Sequence, residues 1–345
     1  MSETAEMAQA PPAERDRKLE HIRLALEERM QLGKSFFDDY HFGHAALPEI
    51  DLAQVDTGVS FLGRRLSLPL LISSMTGGTE TAGRINRNLA AGAEETGVAI
   101  GVGSQRKALE DPSKADTFRV REVAPSAVLL ANLGAVQLNY GMGVRECREA
   151  VEMIGADALI LHTNPLQEAI QPEGQCNFAG LLPKIGGVVR ELGVPVVVKE
   201  IGCGISEATA RALAEQGVRI VDTAGVGGTS WARIEAQRAG DLPIGELFAG
   251  WGIPTPESIR QLRQVEGLTV IASGGVRNGL DAAKAIAMGA GLVGMAYPFL
   301  APATESPEKV AETVRRIGRE LKICMFCLGV KTIAELQRVP LQKGS

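Results

Sequence analysis

Eight short apolar, β-branched runs follow one another along this chain, each parted from the next by a stretch rich in Ala, Glu and Arg. They lie at 68–74, 98–104, 127–133, 158–164, 195–200, 219–224, 268–273 and 292–296. The 224 residues between Leu68 and Leu292 span seven intervals of 32 residues each, enough for one strand, one helix and two loops. Such alternation makes parallel βαβ units, whose crossover helices cover the sheet. An open doubly wound sheet would need fewer parallel strands and a reversal of their order. Eight even units instead predict an α/β chain closed into a TIM (β/α)8 barrel with an N-terminal helical extension.

The ends of the chain complete that plan. Residues 1–16 are polar and acidic with Pro11 and Pro12, and are expected to be a disordered tail without the basic start and apolar stretch of a signal peptide. A helix is expected over 17–32, where Leu19, Ile22, Leu24 and Leu26 alternate with charged residues, and Gly33 would end it. Residues 17–67 thus form an extension and lid, and 68–345 the barrel. The Gly-rich stretch 225–252, with Trp231 and Trp251, is too long for an ordinary βα loop and is expected to contribute to a lid beside the site.

Composition narrows the function classes. With 36 Lys and Arg against 41 Asp and Glu, a net charge of −5, no global field draws the chain to nucleic acid or to an acidic membrane. Gly, Ser or a charge interrupts every apolar run before it reaches the ~18 residues of a membrane span. Five scattered cysteines do not make a secreted disulfide framework, so the cytoplasm is the expected compartment. The 40 glycines cluster between apolar runs, where backbone N–H groups build anion sites.

A barrel keeps its active site at the C-terminal ends of its strands, and polar residues gather there. Ser74-Met75-Thr76-Gly77-Gly78 follows the first strand and Ser104-Gln105-Arg106 the second; Asn132 closes the third, and His162 and Asn164 the fourth. Lys199-Glu200 ends the fifth, Gly227-Gly228-Thr229-Ser230 follows the sixth, Ser273-Gly274-Gly275-Val276-Arg277 the seventh, and Gly294-Met295-Ala296 closes the eighth. A Gly-Gly pair alone is a turn, but glycines after both of the last two strands, with Arg277 as counter-charge, point to a phosphate site. Lys199, pointing into the barrel mouth, needs an anionic partner; a Schiff base and a flavin or phosphate counter-ion both fit. Glu168 could hold a substrate-bound Mg²⁺, or simply face the dipole of its helix. Cys324 and Cys327 have redox spacing, but no second ligand pair accompanies them and Met325-Phe326 indicates a packed helix.

Together these residues resemble the type 2, flavin-dependent isopentenyl-diphosphate Δ-isomerases, from Arg17 to about Leu336. The motifs are Arg17-Lys18-x-x-His21, Met75-Thr76-Gly77-Gly78, Ser104-Gln105-Arg106, His162-x-Asn164-x-x-Gln167-Glu168, Gln171-Pro172-Glu173-Gly174, Val198-Lys199-Glu200 and Gly227-Gly228-Thr229-Ser230-Trp231. The resemblance implies an isomerase of isoprenoid biosynthesis that interconverts isopentenyl and dimethylallyl diphosphate with reduced FMN as acid and base, Mg²⁺ on the diphosphate, and NADPH to reduce the flavin. FMN would be held by Ser74, Met75, Thr76, Ser104, Asn132, Lys199, Thr229, Gly275, Val276, Arg277, Ala296 and Tyr297. Substrate would meet Arg17, Lys18, His21, Ser104, Gln105, Arg106, His162, Asn164 and Gln167, with Glu168 on the metal. Gln167, Lys199 and His162 would serve the chemistry, Lys199 facing the anionic reduced ring. A homo-oligomer, tetramer or octamer, is also implied. This sequence departs from the family pattern at Gln175, Thr163 and Thr223, none of them central to the motifs. The rival FMN barrels that oxidise 2-hydroxy acids need a His near the flavin after strand six or seven, and this chain has no His beyond His162. A binding scaffold without chemistry fits poorly, since every residue expected of the isomerase is present.

Overall fold

The computed structural model describes residues 17–33 and 35–344; the expected tail at 1–16 lies outside them. The strands are β1 (Tyr40–Phe42), β2 (Val59–Phe61), β3 (Arg64–Leu66), β4 (Leu70–Ile72), β5 (Ala99–Gly101), β6 (Leu129–Gly134), β7 (Ala158–His162), β8 (Val196–Lys199), β9 (Ile220–Asp222), β10 (Thr269–Ser273), β11 (Leu292–Met295) and β12 (Leu341–Lys343). The helices are α1 (Arg17–Leu26), α2 (Glu80–Thr96), α3 (Arg106–Glu110), α4 (Val144–Ile154), α5 (Pro165–Ile170), α6 (Leu181–Glu191) and α7 (Glu207–Glu215). There follow α8 (Trp231–Ala239), α9 (Leu242–Leu247), α10 (Thr255–Leu262), α11 (Gly279–Ala287), α12 (Tyr297–Glu305), α13 (Pro307–Cys327) and α14 (Ile333–Leu336).

Strands β4 to β11 close into one barrel, every neighbouring pair parallel, with β11 returning to β4. All but β6 lie inside the ranges read from the sequence, and β6 runs one residue beyond its range. Side chains of a strand alternate between faces. Leu71, Ala99, Leu130, Ala158, Ile160, Val197, Ile220, Ile271 and Leu292 form the apolar cluster inside the barrel. Their neighbours in sequence, such as Leu70, Ile72, Leu129, Ala131, Val196, Val198 and Val293, pack outward under the helices. The β2–β3 hairpin adds Phe61 and Leu66 to the inner cluster and so plugs the N-terminal end of the barrel. Two residues beyond the inner apolar residues, on the same face, come Ser73, Gly101, Asn132, His162, Lys199, Asp222, Ser273 and Gly294. The pleat therefore turns the barrel's apolar filling into a polar and glycine layer at its C-terminal mouth.

The extension is tied down at three places. Strand β1 pairs antiparallel with β12, joining it to the C-terminal segment. Lys284 Nζ on α11 donates to the Phe37 carbonyl at 3.0 Å. Leu24, Met30 and Ile234 pack into a small apolar cluster between α1 and α8. Helix α1 stops at Leu26 rather than running to residue 32: a 3-10 turn at Glu28–Met30 tightens the chain, and Gln31 then bridges Thr229 as extended backbone. That bridge, with Leu32 N–H to the Gly228 carbonyl at 3.0 Å and Ser230 N–H to the Met30 carbonyl at 2.8 Å, competes with continued helix. The stretch 225–252 contributes Gly225, Gly228, Thr229 and Trp231 to the cavity lining at the mouth. It folds into α8 and α9, and α8 is the platform on which α1 rests.

Candidate active site

The barrel mouth opens into a cavity of about 250 Å³, roofed by Arg17, Lys18, His21, Ile22 and Ala25 of α1. One side is lined by Ser73, Ser74, Met75, Thr76, Ser104, Thr229, Gly275, Val276, Arg277, Ala296 and Tyr297. The hydroxyls of Ser73, Ser74 and Thr76 are buried and have no partner among the protein's own atoms. Gly274 and Gly275 have φ of +97° and +74°, and a Cβ on either would stand 2.1 and 2.5 Å from the backbone of Gly225 and Gly227. This turn exists only with glycine, and both glycines line the cavity a few residues before α11. Arg277 is fixed beside it by a 3.0 Å hydrogen bond from its guanidinium to the Gly227 carbonyl. Thr229 is held by the Gln31 carboxamide at 2.9 Å, so the extension steadies this wall as well. Unpartnered hydroxyls beside a glycine nest and an arginine are the donor set of a flavin phosphate and ring, and the residues present fit FMN.

At the centre Lys199 is buried, with Nζ 3.3 Å from Asp222 Oδ2 and 3.3 Å from Ser273 Oγ. The three residues come from adjacent strands, and Ser273 Oγ donates to Asp222 Oδ1 at 2.5 Å. Lys199 thus has the anionic partner its position demanded, supplied by the protein itself.

The opposite side carries the cations. Arg106 donates to Gln175 Oε1 at 3.1 Å. His162 Nδ1 lies 2.7 Å from Asn132 Oδ1, which as an amide oxygen can only accept, so this contact places a proton on Nδ1. Burial first, then the positive charges of Lys18, Lys199 and Arg106, press the imidazole pKa down to about 3, so it is neutral at neutral pH. Asn164 Nδ2 donates to Gln167 Oε1 at 3.0 Å and to Glu168 Oε1 at 2.8 Å. The other Glu168 oxygen takes the Gln171 amide at 3.0 Å and the Gln175 backbone N–H at 2.6 Å. Among the described residues no group of three His, Cys, Asp or Glu side chains converges on a metal position. Glu168 is therefore a single carboxylate, enough for an ion whose other ligands are water and phosphate oxygens.

Glu235 organises this side. It is fully buried on α8, with Oε1 3.0 Å from His21 Nε2 and accepting from Gln167 Nε2 at 2.6 Å, and Oε2 accepting from Arg238 at 2.5 Å. Burial alone would raise its pKa, but contact with His21, Gln167 and Arg238 outweighs it and holds the carboxyl down at about 2. Arg238 in turn meets Glu20 at 3.2 Å and Glu173 at 3.1 Å, and Glu173 lies 3.6 Å from Arg17.

Every site residue named from the sequence lines the cavity except Gln105. Its side chain is wholly buried behind the wall, donating to the Ala150 carbonyl at 2.8 Å and accepting from Asn132 N–H at 3.0 Å. Both ends of the carboxamide are spent on the scaffold, so the Gln105 side chain orients Asn132. Sequence reading missed Ser73, Gln31, Asp222, Ser273 as a side-chain ligand, and Glu235. An acid inside the apolar run Ile220-Val221-Asp222 was a readable signal. Glu235, on a helix, had none.

A family model described as FMN-dependent dehydrogenase matches residues 174–343. Over 328 residues the chain is 52 % identical to an isopentenyl-diphosphate delta-isomerase of Synechococcus sp., covering 93 % of this chain and 94 % of that protein. It is 50 % identical to the protein of the same name from Paracoccus zeaxanthinifaciens, covering 93 % and 95 %. Among solved structures it resembles mandelate oxidase bound to 2-hydroxy-phenylacetamide, with a TM-score of 0.62 at 19 % identity over 94 % of this chain and 91 % of that one. A flavocytochrome b2 variant gives a TM-score of 0.64 at 20 % identity, covering 89 % and 76 %. The two structural likenesses show the barrel alone, whereas half-identity over nine-tenths of the sequence does more: this chain belongs to the isopentenyl-diphosphate delta-isomerase family, in its FMN-dependent, type 2 form.

Proposed function

We propose that this protein interconverts isopentenyl and dimethylallyl diphosphate in isoprenoid biosynthesis, with FMN along the glycine-nest wall, the substrate diphosphate under α1, and Mg²⁺ at Glu168. The observation that carries the reading is that one cavity brings together unpartnered hydroxyls with the Gly274-Gly275 turn and, from α1 and the strand ends, Arg17, Lys18, His21, Arg106 and His162. Moving a double bond from C3–C4 to C2–C3 adds a proton at C4 and removes one from C2, with no net change in electrons. Reduced FMN, generated by NADPH, would supply that acid and base when bound.

The chain's own residues do the rest. Arg17, Lys18 and Arg106 neutralise the diphosphate with hydrogen bonds strengthened by charge. A diphosphate beside the neutral His162 favours its protonated form, so Nε2 becomes a further donor to the substrate. Glu168, oriented by Asn164 and Gln171, offers one hard anionic ligand to a metal shared with phosphate oxygens. Gln167, fixed between Asn164 and Glu235, positions the hydrocarbon end. Trp231, Ile22 and Leu300 give that end an apolar, water-poor surround. By the same reading the protein is a cytoplasmic homo-oligomer, tetramer or octamer, visible by light scattering as four or eight times the chain mass.

The test is an anaerobic assay of the purified protein with FMN, Mg²⁺, NADPH and isopentenyl diphosphate, followed by proton NMR. Dimethylallyl diphosphate should accumulate to equilibrium only when the flavin is reduced. Absence of isomerisation with reduced FMN bound, together with oxidation of a 2-hydroxy acid, would overturn the reading.

A further inference from the structure

Asp222 is fully buried and does not line the cavity, yet it belongs to the same mouth layer as Lys199 and Ser273. A buried ammonium and a buried carboxylate are each costly alone and tolerable only together. Here the pairing has a defined geometry. Ser273 Oγ donates its proton to Asp222 Oδ1 at 2.5 Å, so only its lone pairs are left for Lys199 Nζ at 3.3 Å. Asp222 Oδ2 stands 3.3 Å from the same Nζ. The Ala224 N–H, 3.2 Å from Oδ1, fixes the carboxylate from a third direction, and Ala224 itself has a φ of +34°, uncommon for a residue with a Cβ. Among the described residues Ser273 Oγ is thus the hydrogen-bond partner of Lys199 Nζ, Asp222 Oδ2 faces it as an ion-pair partner, and Lys199 itself lines the cavity.

We propose that Asp222 is a positioning residue that sets the net charge which the Lys199 site presents to the flavin. With both groups present the site is close to neutral; without Asp222 it carries a full positive charge, and without Lys199 a full negative one. In a cavity shielded from water, one unit of charge changes the preference for an anionic over a neutral ring by at least about tenfold. Asp222 thereby limits how far Lys199 stabilises reduced flavin, an inference that rests on FMN occupying this cavity.

The experiment is a dye-equilibration measurement of the two-electron midpoint potential of bound FMN at about pH 8. It compares the parent holoenzyme with Asp222→Asn, Lys199→Met and the double variant. Asp222→Asn should raise the retention of reduced over oxidised FMN at least tenfold, about 30 mV upward, and Lys199→Met should lower it as much. The double variant, neutral again, should return to within threefold of the parent. A midpoint in Asp222→Asn at or below the parent's would overturn the proposal, since a merely structural Asp222 leaves it unmoved. Should Asp222→Asn not fold, the comparison of Lys199→Met with the double variant reads the same carboxylate, and equal potentials there overturn it too. FMN content is measured first: protein that binds no FMN refutes the functional reading, whereas bound FMN indifferent to Asp222 refutes only this inference.

Discussion

Glu235→Gln removes one charge and almost no volume at the centre of the cationic wall. A fall of the carboxyl from the ordinary 4.5 to about 2 corresponds, at about 1.4 kcal/mol for each factor of ten in acidity, to at most about 3 kcal/mol of folding free energy at neutral pH, where burial holds His21 below its ordinary pKa and leaves Arg238 as the charged partner. Breaking a buried pair costs about 3–5 kcal/mol, but Arg238 keeps Glu20 and Glu173, which favours the lower end. Because the folded pKa lies below the unfolded one, this stability is complete above about pH 4.5 and lost as pH falls toward 2. Urea unfolding of parent and variant should therefore differ by about 3 kcal/mol at neutral pH and converge as the pH drops below about 3, with an unchanged slope. His21 and Gln167 lose their shared anchor in the variant, so kcat/KM should fall at least about tenfold, on the scale expected of misplaced catalytic groups. Equal stability at neutral pH, or a difference that persists undiminished in acid, would refute the argument that the ionised carboxylate holds this wall together.

Three further outcomes follow from the same geometry. Glu168→Gln should raise the Mg²⁺ concentration needed for half-maximal rate at least about tenfold while flavin content stays at the parent level, because Gln keeps the volume but loses the anionic ligand and one of the two accepting oxygens; unchanged Mg²⁺ dependence rejects the metal assignment. Gly275→Ala should abolish FMN retention in gel filtration, since a Cβ there meets the Gly227 backbone at 2.5 Å at a φ of +74°, whereas Gly187→Ala, in α6 with nothing within 4 Å, should leave retention intact. Deleting residues 1–21 removes Arg17, Lys18 and His21 but spares the Gln31–Thr229 contact, so FMN should stay bound while KM rises and kcat falls; parental kinetics would show that α1 is no lid.

The barrel was legible because its strands are buried on both faces and read as apolar runs at a regular interval, a pattern that long-range contacts do not have to rescue. The extension was less so. Leu19 to Leu32 has a helical apolar period throughout, and only the backbone bridge from Gln31 to Thr229, two hundred residues away, shortens the helix to Leu26. The same bridge ties 225–252 to the extension, since the Gly228 carbonyl and the Ser230 N–H are spent on Leu32 and Met30.

The site divides along the same line. Asn132, His162 and Lys199 are conspicuous as polar residues at strand ends, and the period of two extends the same logic to their neighbours. If Leu71, Ile220 and Ile271 fill the barrel, then Ser73, Asp222 and Ser273 must face the same way one layer higher, in the mouth. Gln105 fails by a related rule: it precedes α3 beside the strand rather than within its inward face, and its amide goes to Ala150 and Asn132. Glu235 obeys no such rule. Its inward aim is set by Ile234, its neighbour on α8, which packs against Leu24 and Met30 of the extension, so the residue that anchors His21 is placed by the segment that carries His21. A variant that weakens the Leu24–Ile234 contact, such as Ile234→Ala, should therefore loosen Gln167 and His21 together.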